Sequence, residues 1–172
     1  MTEKETKGTI LVVDDEEFVL SALERSLKRA KFRVITCQDP TKVMDILEEE
    51  PVEVIISDER MPEMSGMELL VDVRKKHPSV VRILLTGHAS VEVAITAVNE
   101  GKLYRFLTKP WDDEELRELA AKAVQVSRVS NRSRQAIKEM KNQEQAAEHL
   151  EKRYPGISRI KRDKTGAIIL DD

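Results

Sequence analysis

A chain of 172 residues holds one domain of ordinary size and an appendage. With 40% hydrophobic and 35% charged residues it is neither a low-complexity chain nor a membrane protein, since no apolar run approaches the roughly 18 residues a bilayer demands. The single cysteine, Cys37, excludes an internal disulfide and suits a reducing compartment, so a cytoplasmic location is expected; the net charge of −3 divides into −7 over residues 1–127 and +4 over residues 128–172, which assigns the two parts different work.

The charged start "MTEKETKG" is no signal peptide, and residues 1–7 are expected to form a disordered tail. From Thr9 onward short β-branched runs alternate with segments of helical period. Strands are predicted at Thr9 to Asp14, Arg33 to Cys37, Glu53 to Ser57, Val81 to Thr86 and Leu103 to Thr108. Between them Leu20, Leu23, Leu27 and Ala30 share a helical face, as do Val43, Ile46 and Leu47, then Leu69, Leu70 and Val73, then Val91, Ile95 and Val98. Strands such as "ILVV" and "VIIS" are apolar on both faces, which suits a parallel sheet covered on both sides. The fold class is therefore α/β: a flavodoxin-like, doubly wound five-stranded parallel sheet.

After "KPW" a helix is predicted from about Asp113 to about Glu151, with Asp112 as its cap and Glu115 at the reciprocal capping position. Its length, roughly 55 to 60 Å at 1.5 Å per residue, overruns a single domain. Apolar positions spaced by three and four form two patches around a polar gap at Ser130 and Ser133. Two readings stand: a coiled coil that makes a homodimer, or a solvated helix with a flexible "SRVSNRSRQ" linker. The basic run Arg128, Arg132, Arg134, Lys138 and Lys141 has no interleaved aromatics and reads as a solvated face, not as a nucleic-acid site. Residues 154–172, "GISRIKRDKTGAIILDD" at their core, read as a β-hairpin turning at "DKTG". The expected organisation is a tail (1–7), an α/β domain (8–127), a helical extension (128–153) and the hairpin (154–172).

Ligands of open α/β sheets sit beyond the carboxyl ends of the strands. Asp14 and Asp15 close the first strand, Asp58 follows the third, Thr86 ends the fourth and Lys109 follows the fifth, whereas the second ends in Cys37 and Gln38. That distribution agrees with a strand order 2-1-3-4-5, which leaves strand two at an edge. Carboxylates about 4 Å apart at an effective dielectric near 20 repel by about 4 kcal/mol per pair, a penalty that a divalent cation removes. An all-oxygen set suits Mg²⁺, or Mn²⁺ in its place, with Asp15, Asp58 and the backbone carbonyl of Glu59 as direct ligands and Asp14 mainly through water. A carboxylate so placed is also a nucleophile toward phosphorus, with Asp58 central, Lys109 balancing the added oxygens and the Thr86 hydroxyl able to bond one of them.

Together "ILVVDDE", "IISDERMPEMSG", "ILLTGHA" and "FLTKPW" resemble the receiver domain of bacterial two-component response regulators over about residues 8–127. The resemblance implies phosphoryl uptake by Asp58 from a sensor histidine kinase or phosphotransfer protein, a Mg²⁺ requirement, and a switch that couples Thr86 to an aromatic matched here by Phe106. It also implies that the Lys109–Pro110 bond is cis. Phe106 has no phenol group to hydrogen-bond. The function expected is a signalling module with no DNA-binding output domain, acting through a downstream protein or through dimerisation, not as an enzyme. Two alternatives are an aspartyl-phosphate phosphohydrolase, against which Arg60 stands where such enzymes place an acidic residue, and a dimeric scaffold merely modulated by phosphorylation.

Overall fold

The computed structural model describes residues 5–156 and 164–165. Five strands, β1 (Thr9–Val13), β2 (Arg33–Cys37), β3 (Val54–Asp58), β4 (Val81–Thr86) and β5 (Arg105–Thr108), form one parallel sheet in the order β2-β1-β3-β4-β5. The helices α1 (Glu17–Arg29), α2 (Val43–Glu49), α3 (Gly66–Lys76), α4 (Val91–Asn99) and α5 (Asp113–Arg153) follow the strands in turn. This is the predicted doubly wound architecture.

Alternation along each strand divides the core between the two faces of the sheet. Ile10, Val12, Ile56, Ile83 and Leu85 point toward α1 and the first half of α5, where Leu23, Leu27, Leu116, Ala120 and Val124 meet them. Leu11, Val13, Ile55 and Leu84 point the other way, against Val43, Leu69, Leu70, Val73 and Ala94. Both strand faces are covered, which is why these runs carry no polar alternation.

β1 ends one residue before its predicted limit and β3 lies one residue later than predicted, and two larger details differ. Leu103 lies outside β5 because its N–H and that of Lys102 both donate to the Ala97 carbonyl, at 3.3 and 2.9 Å, so this backbone finishes α4. Helix α4 is also rotated from the predicted face: Ala94 and Ala97 are buried, Val98 packs partly, and Ile95 is 45% exposed. The small alanines let α4 lie close to the sheet, and a 3-10 turn at His88–Ser90 precedes the helix and sets its phase.

Helix α5 runs without interruption from Asp113, where Asp112 Oδ1 accepts the Glu115 N–H at 2.9 Å, to Arg153. The chain divides into two compact units between Ser130 and Asn131, inside this helix. Of the expected C-terminal hairpin, Pro155 and Gly156 lie in a turn, as do Lys164 and Thr165, and residues 157–163 and 166–172 lie outside the described residues, as does the start of the expected N-terminal tail.

Candidate functional site

Parallel register brings four strand ends to one rim. Asp14 follows β1 with no exposed surface, Asp58 is the last residue of β3 and is 7% exposed, and Thr86 ends β4 fully buried. Lys109 follows β5, its N–H donating to the Thr86 carbonyl at 2.9 Å. Asp15 is exposed at the edge of the cluster. Carboxylate oxygens of Asp14, Asp15 and Asp58 lie within 4.8 Å of one another.

Lys109 Nζ bridges two of these carboxylates, 2.7 Å from Asp58 Oδ1 and 3.2 Å from Asp14 Oδ2. One ammonium, in contact with two of them, therefore balances only part of the charge of three clustered carboxylates. Burial pushes the Asp14 carboxyl above its ordinary range; the Glu16 N–H, donating to Oδ1 at 2.9 Å, opposes this, the charge of Asp58 adds to it, and Lys109 pulls it back. For Lys109 burial alone lowers the pKa, but the contacts with Asp58 and Asp14 outweigh it and leave the pKa raised, so the side chain stays charged. The donor set is all oxygen, clustered and under-neutralised, and it fits a hard divalent cation of the Mg²⁺ class.

The loop after β3 is shaped by close approach of backbone. A Cβ on Gly66 would lie 2.0 Å from the Asp58 carbonyl oxygen, so only glycine allows the start of α3 to sit against the strand end. Gly66 N–H donates to the Glu59 carbonyl at 2.8 Å. The carbonyl expected to reach the ion is thus already engaged through one lone pair, leaving the second. Ser65 and Glu68 then start α3 with a capping box, Ser65 Oγ accepting the Glu68 N–H at 3.1 Å and Glu68 Oε2 accepting the Ser65 N–H at 3.2 Å.

Sequence reasoning missed one contact at this rim. Thr86 Oγ1 donates to Glu59 Oε2 at 2.6 Å. An acidic residue directly after Asp58 was visible in the sequence, but its reach to β4 depends on the pairing of Asp58 with Leu85. Phe106 is half-buried on β5, beside Leu84 in register and packed against the α2, α3 and α4 side of the core. The Lys109–Pro110 bond is cis. Cys37 is buried, its Sγ donating to the Asp39 carbonyl at 3.0 Å, and burial pushes its thiol pKa up.

Residues 10–121 match the family model described as the response regulator receiver domain. The chain is 38% identical over 125 residues to the hydrogenase transcriptional regulatory protein HoxA of Cupriavidus necator, covering 73% of this chain and 25% of that protein. Two solved structures share its fold: the signal receiver domain of an HD domain-containing protein from Pseudomonas fluorescens Pf-5 (32% identity, TM-score 0.68, 77% of this chain and 97% of that one) and a response regulator receiver domain protein from Clostridium thermocellum (31% identity, TM-score 0.62, 75% and 98%). The chain spans about a quarter of the length of the curated relatives it matches. A family match that begins inside β1 and ends inside α5 encloses every residue of the acidic rim, and the chain belongs to the response regulator receiver domains, the phosphoacceptor modules of two-component signalling.

Proposed function

We propose that Asp58 is the phosphoacceptor, charged by the phosphohistidine of a sensor histidine kinase or phosphotransfer protein. The observation that carries this reading is the Lys109 ammonium held 2.7 Å from Asp58 Oδ1 and 3.2 Å from Asp14 Oδ2 beneath the three clustered carboxylates. An Asp58 oxygen attacks phosphorus, the phosphorus–nitrogen bond of the donor breaks, and the departing imidazole keeps the electron pair and takes a proton. Asp58 becomes an acyl phosphate. Lys109 turns from Asp14 and Asp58 toward the new phosphoryl oxygens, and the Thr86 hydroxyl bonds one of them. Asp15 and Asp58, the Glu59 carbonyl through its second lone pair, and Asp14 mainly through water are the groups that would hold Mg²⁺ or Mn²⁺. When bound, such an ion neutralises charge that builds up on the phosphoryl oxygens.

The same reading extends to a receiver over residues 8–127, a helical extension over 128–153 and a tail over 154–172. It carries a cytoplasmic location and output through a downstream protein, without direct contact to nucleic acid. Support for the last point comes from the basic side chains of α5: Arg132, Arg134, Lys138 and Lys141 are exposed with no aromatic among them, and Arg128 is engaged with Glu53 and the Lys7 carbonyl. Homodimerisation is favoured by one observation, the exposure of Val129, Ile137, Met140 and Leu150 along α5.

Intact-mass spectrometry after incubation with acetyl phosphate and Mg²⁺ tests the phosphoacceptor. Wild type gains one phosphoryl group and Asp58→Asn gains none. Uptake by neither protein, or equally by both, rejects the assignment. A phosphohydrolase would instead turn over a simple phosphomonoester many times, which Arg60, at the position of the expected acid, disfavours.

A further inference from the structure

The hydroxyl that the phosphorylated state needs is already committed elsewhere. Thr86 is fully buried, and its Oγ1 donates to Glu59 Oε2 at 2.6 Å; the Gly87 carbonyl, at 3.3 Å, is a poorer second acceptor. Register places Glu59 there, because Asp58 lies opposite Leu85 and the Glu59 N–H donates to the Leu85 carbonyl at 3.0 Å. The Glu59 carbonyl accepts from Gly66 at 2.8 Å. With both backbone groups tied, the side chain reaches sideways from a fixed base. A hydroxyl carries one proton, and while it points at Glu59 it cannot serve a phosphoryl oxygen. A carboxylate beside Asp58 also repels the incoming phosphoryl charge.

We infer that Glu59 is a positioning residue that holds the Thr86 hydroxyl in the unphosphorylated state and must release it before the phosphorylated state can form. The inference rests on the phosphoacceptor reading of Asp58. It makes Glu59 a competitor of the phosphoryl group for a single proton, so the Glu59 side chain sets how far the resting equilibrium lies toward the unphosphorylated form. Hydrogen bonds to charged acceptors are among the stronger ones, and removing this one shifts that balance on the order of tenfold.

Wild type, Glu59→Gln and Glu59→Ala, as the full chain, decide it through two measurements. Three-bond couplings to the Thr86 methyl group report its rotamer in metal-free, unphosphorylated protein. Half-saturation by beryllofluoride with Mg²⁺ reports the phosphorylated form. Thr86 is expected in one rotamer in wild type and averaged in Glu59→Ala. Half-saturation is expected to fall on the order of tenfold in Glu59→Ala, and by less in the nearly isosteric Glu59→Gln, whose amide oxygen still accepts. An unchanged single rotamer in Glu59→Ala, or unchanged half-saturation, overturns the inference. If beryllofluoride fails to bind even wild type, the reading of Asp58 falls, and the metal-free rotamers still decide the Thr86–Glu59 contact.

Discussion

Glu53 holds a carboxylate oxygen in a corner of the domain with a charge nearby but no hydrogen bond. Its Oε2 is 3.5 Å from Arg128 Nε, too far for good hydrogen-bond geometry, and is buried without a hydrogen-bond partner. Burial raises its pKa, and the charge of Arg128 pulls only partly back. Because the folded pKa lies above the unfolded one, the native state binds the proton more tightly; this stabilisation is complete below the ordinary carboxyl range and is lost as pH rises through the folded pKa. Glu53→Gln is therefore expected to be more stable than wild type at pH 7, with the difference shrinking as pH falls toward about 4. Urea midpoints across that range check it, and a difference independent of pH contradicts the burial account. At Gly66 the expected loss is larger: Gly66→Ala pushes a methyl group into the Asp58 carbonyl and should destabilise by about 2–3 kcal/mol while slowing phosphoryl uptake from acetyl phosphate. Residues of the rim were legible when their position at a strand end marked them, as for Asp14, Asp15, Asp58, Thr86 and Lys109. The Glu59 side chain was not, because its partner is set by strand register, and hydrophobic period carries no register between strands not joined by a tight turn.

Elements were read from periodicity, and they came out best where several signals agreed. Strands β2 and β4 have the predicted limits, whereas β5 is shorter because the hydrogen bond of the Leu103 N–H to the Ala97 carbonyl outweighs its apolar pattern. The rotated face of α4 has another origin: alanines count little in an apolar tally but permit the closest packing. Helix ends yield two further expectations. Helix α1 finishes through Lys31, whose φ of 67° is left-handed, with Lys31 N–H on the Lys28 carbonyl at 2.9 Å and Phe32 N–H on the Leu27 carbonyl at 3.3 Å. A left-handed residue with a Cβ is disfavoured by roughly 1–2 kcal/mol, part of which glycine forfeits in the unfolded chain, so Lys31→Gly should stabilise by about 0.5–1 kcal/mol in chemical denaturation. Ser65→Ala should cost about 1 kcal/mol by removing the acceptor for the Glu68 N–H. A loss near zero there would mean that water caps α3 as well as Ser65 does.

At the scale of the whole molecule the open matter is what α5 does beyond the receiver. No glycine or proline lies between Trp111 and Tyr154, which made the long helix legible, but composition alone left its partner undecided. Val129, Ser133, Ala136, Met140, Gln143, Ala147, Leu150 and Tyr154 follow alternating steps of four and three, a heptad seam with two polar positions. Its large members are open to solvent, Val129 at 62%, Met140 at 61%, Leu150 at 46% and Tyr154 at 55%. An apolar stripe that long favours a second helix over water. Wild type is expected to sediment as a dimer, and Met140→Lys combined with Leu150→Lys as a monomer that still gains one phosphoryl group. The mass with and without acetyl phosphate and Mg²⁺ measures how far the acyl phosphate shifts the equilibrium between dimer and monomer. A dimer of equal strength in both states makes α5 a permanent scaffold. A rise on phosphorylation couples it to the rim through the buried residues Leu116, Ala120 and Val124, which tie the first half of the helix to the sheet that carries Asp58. A wild-type monomer in both states rejects self-association through this seam.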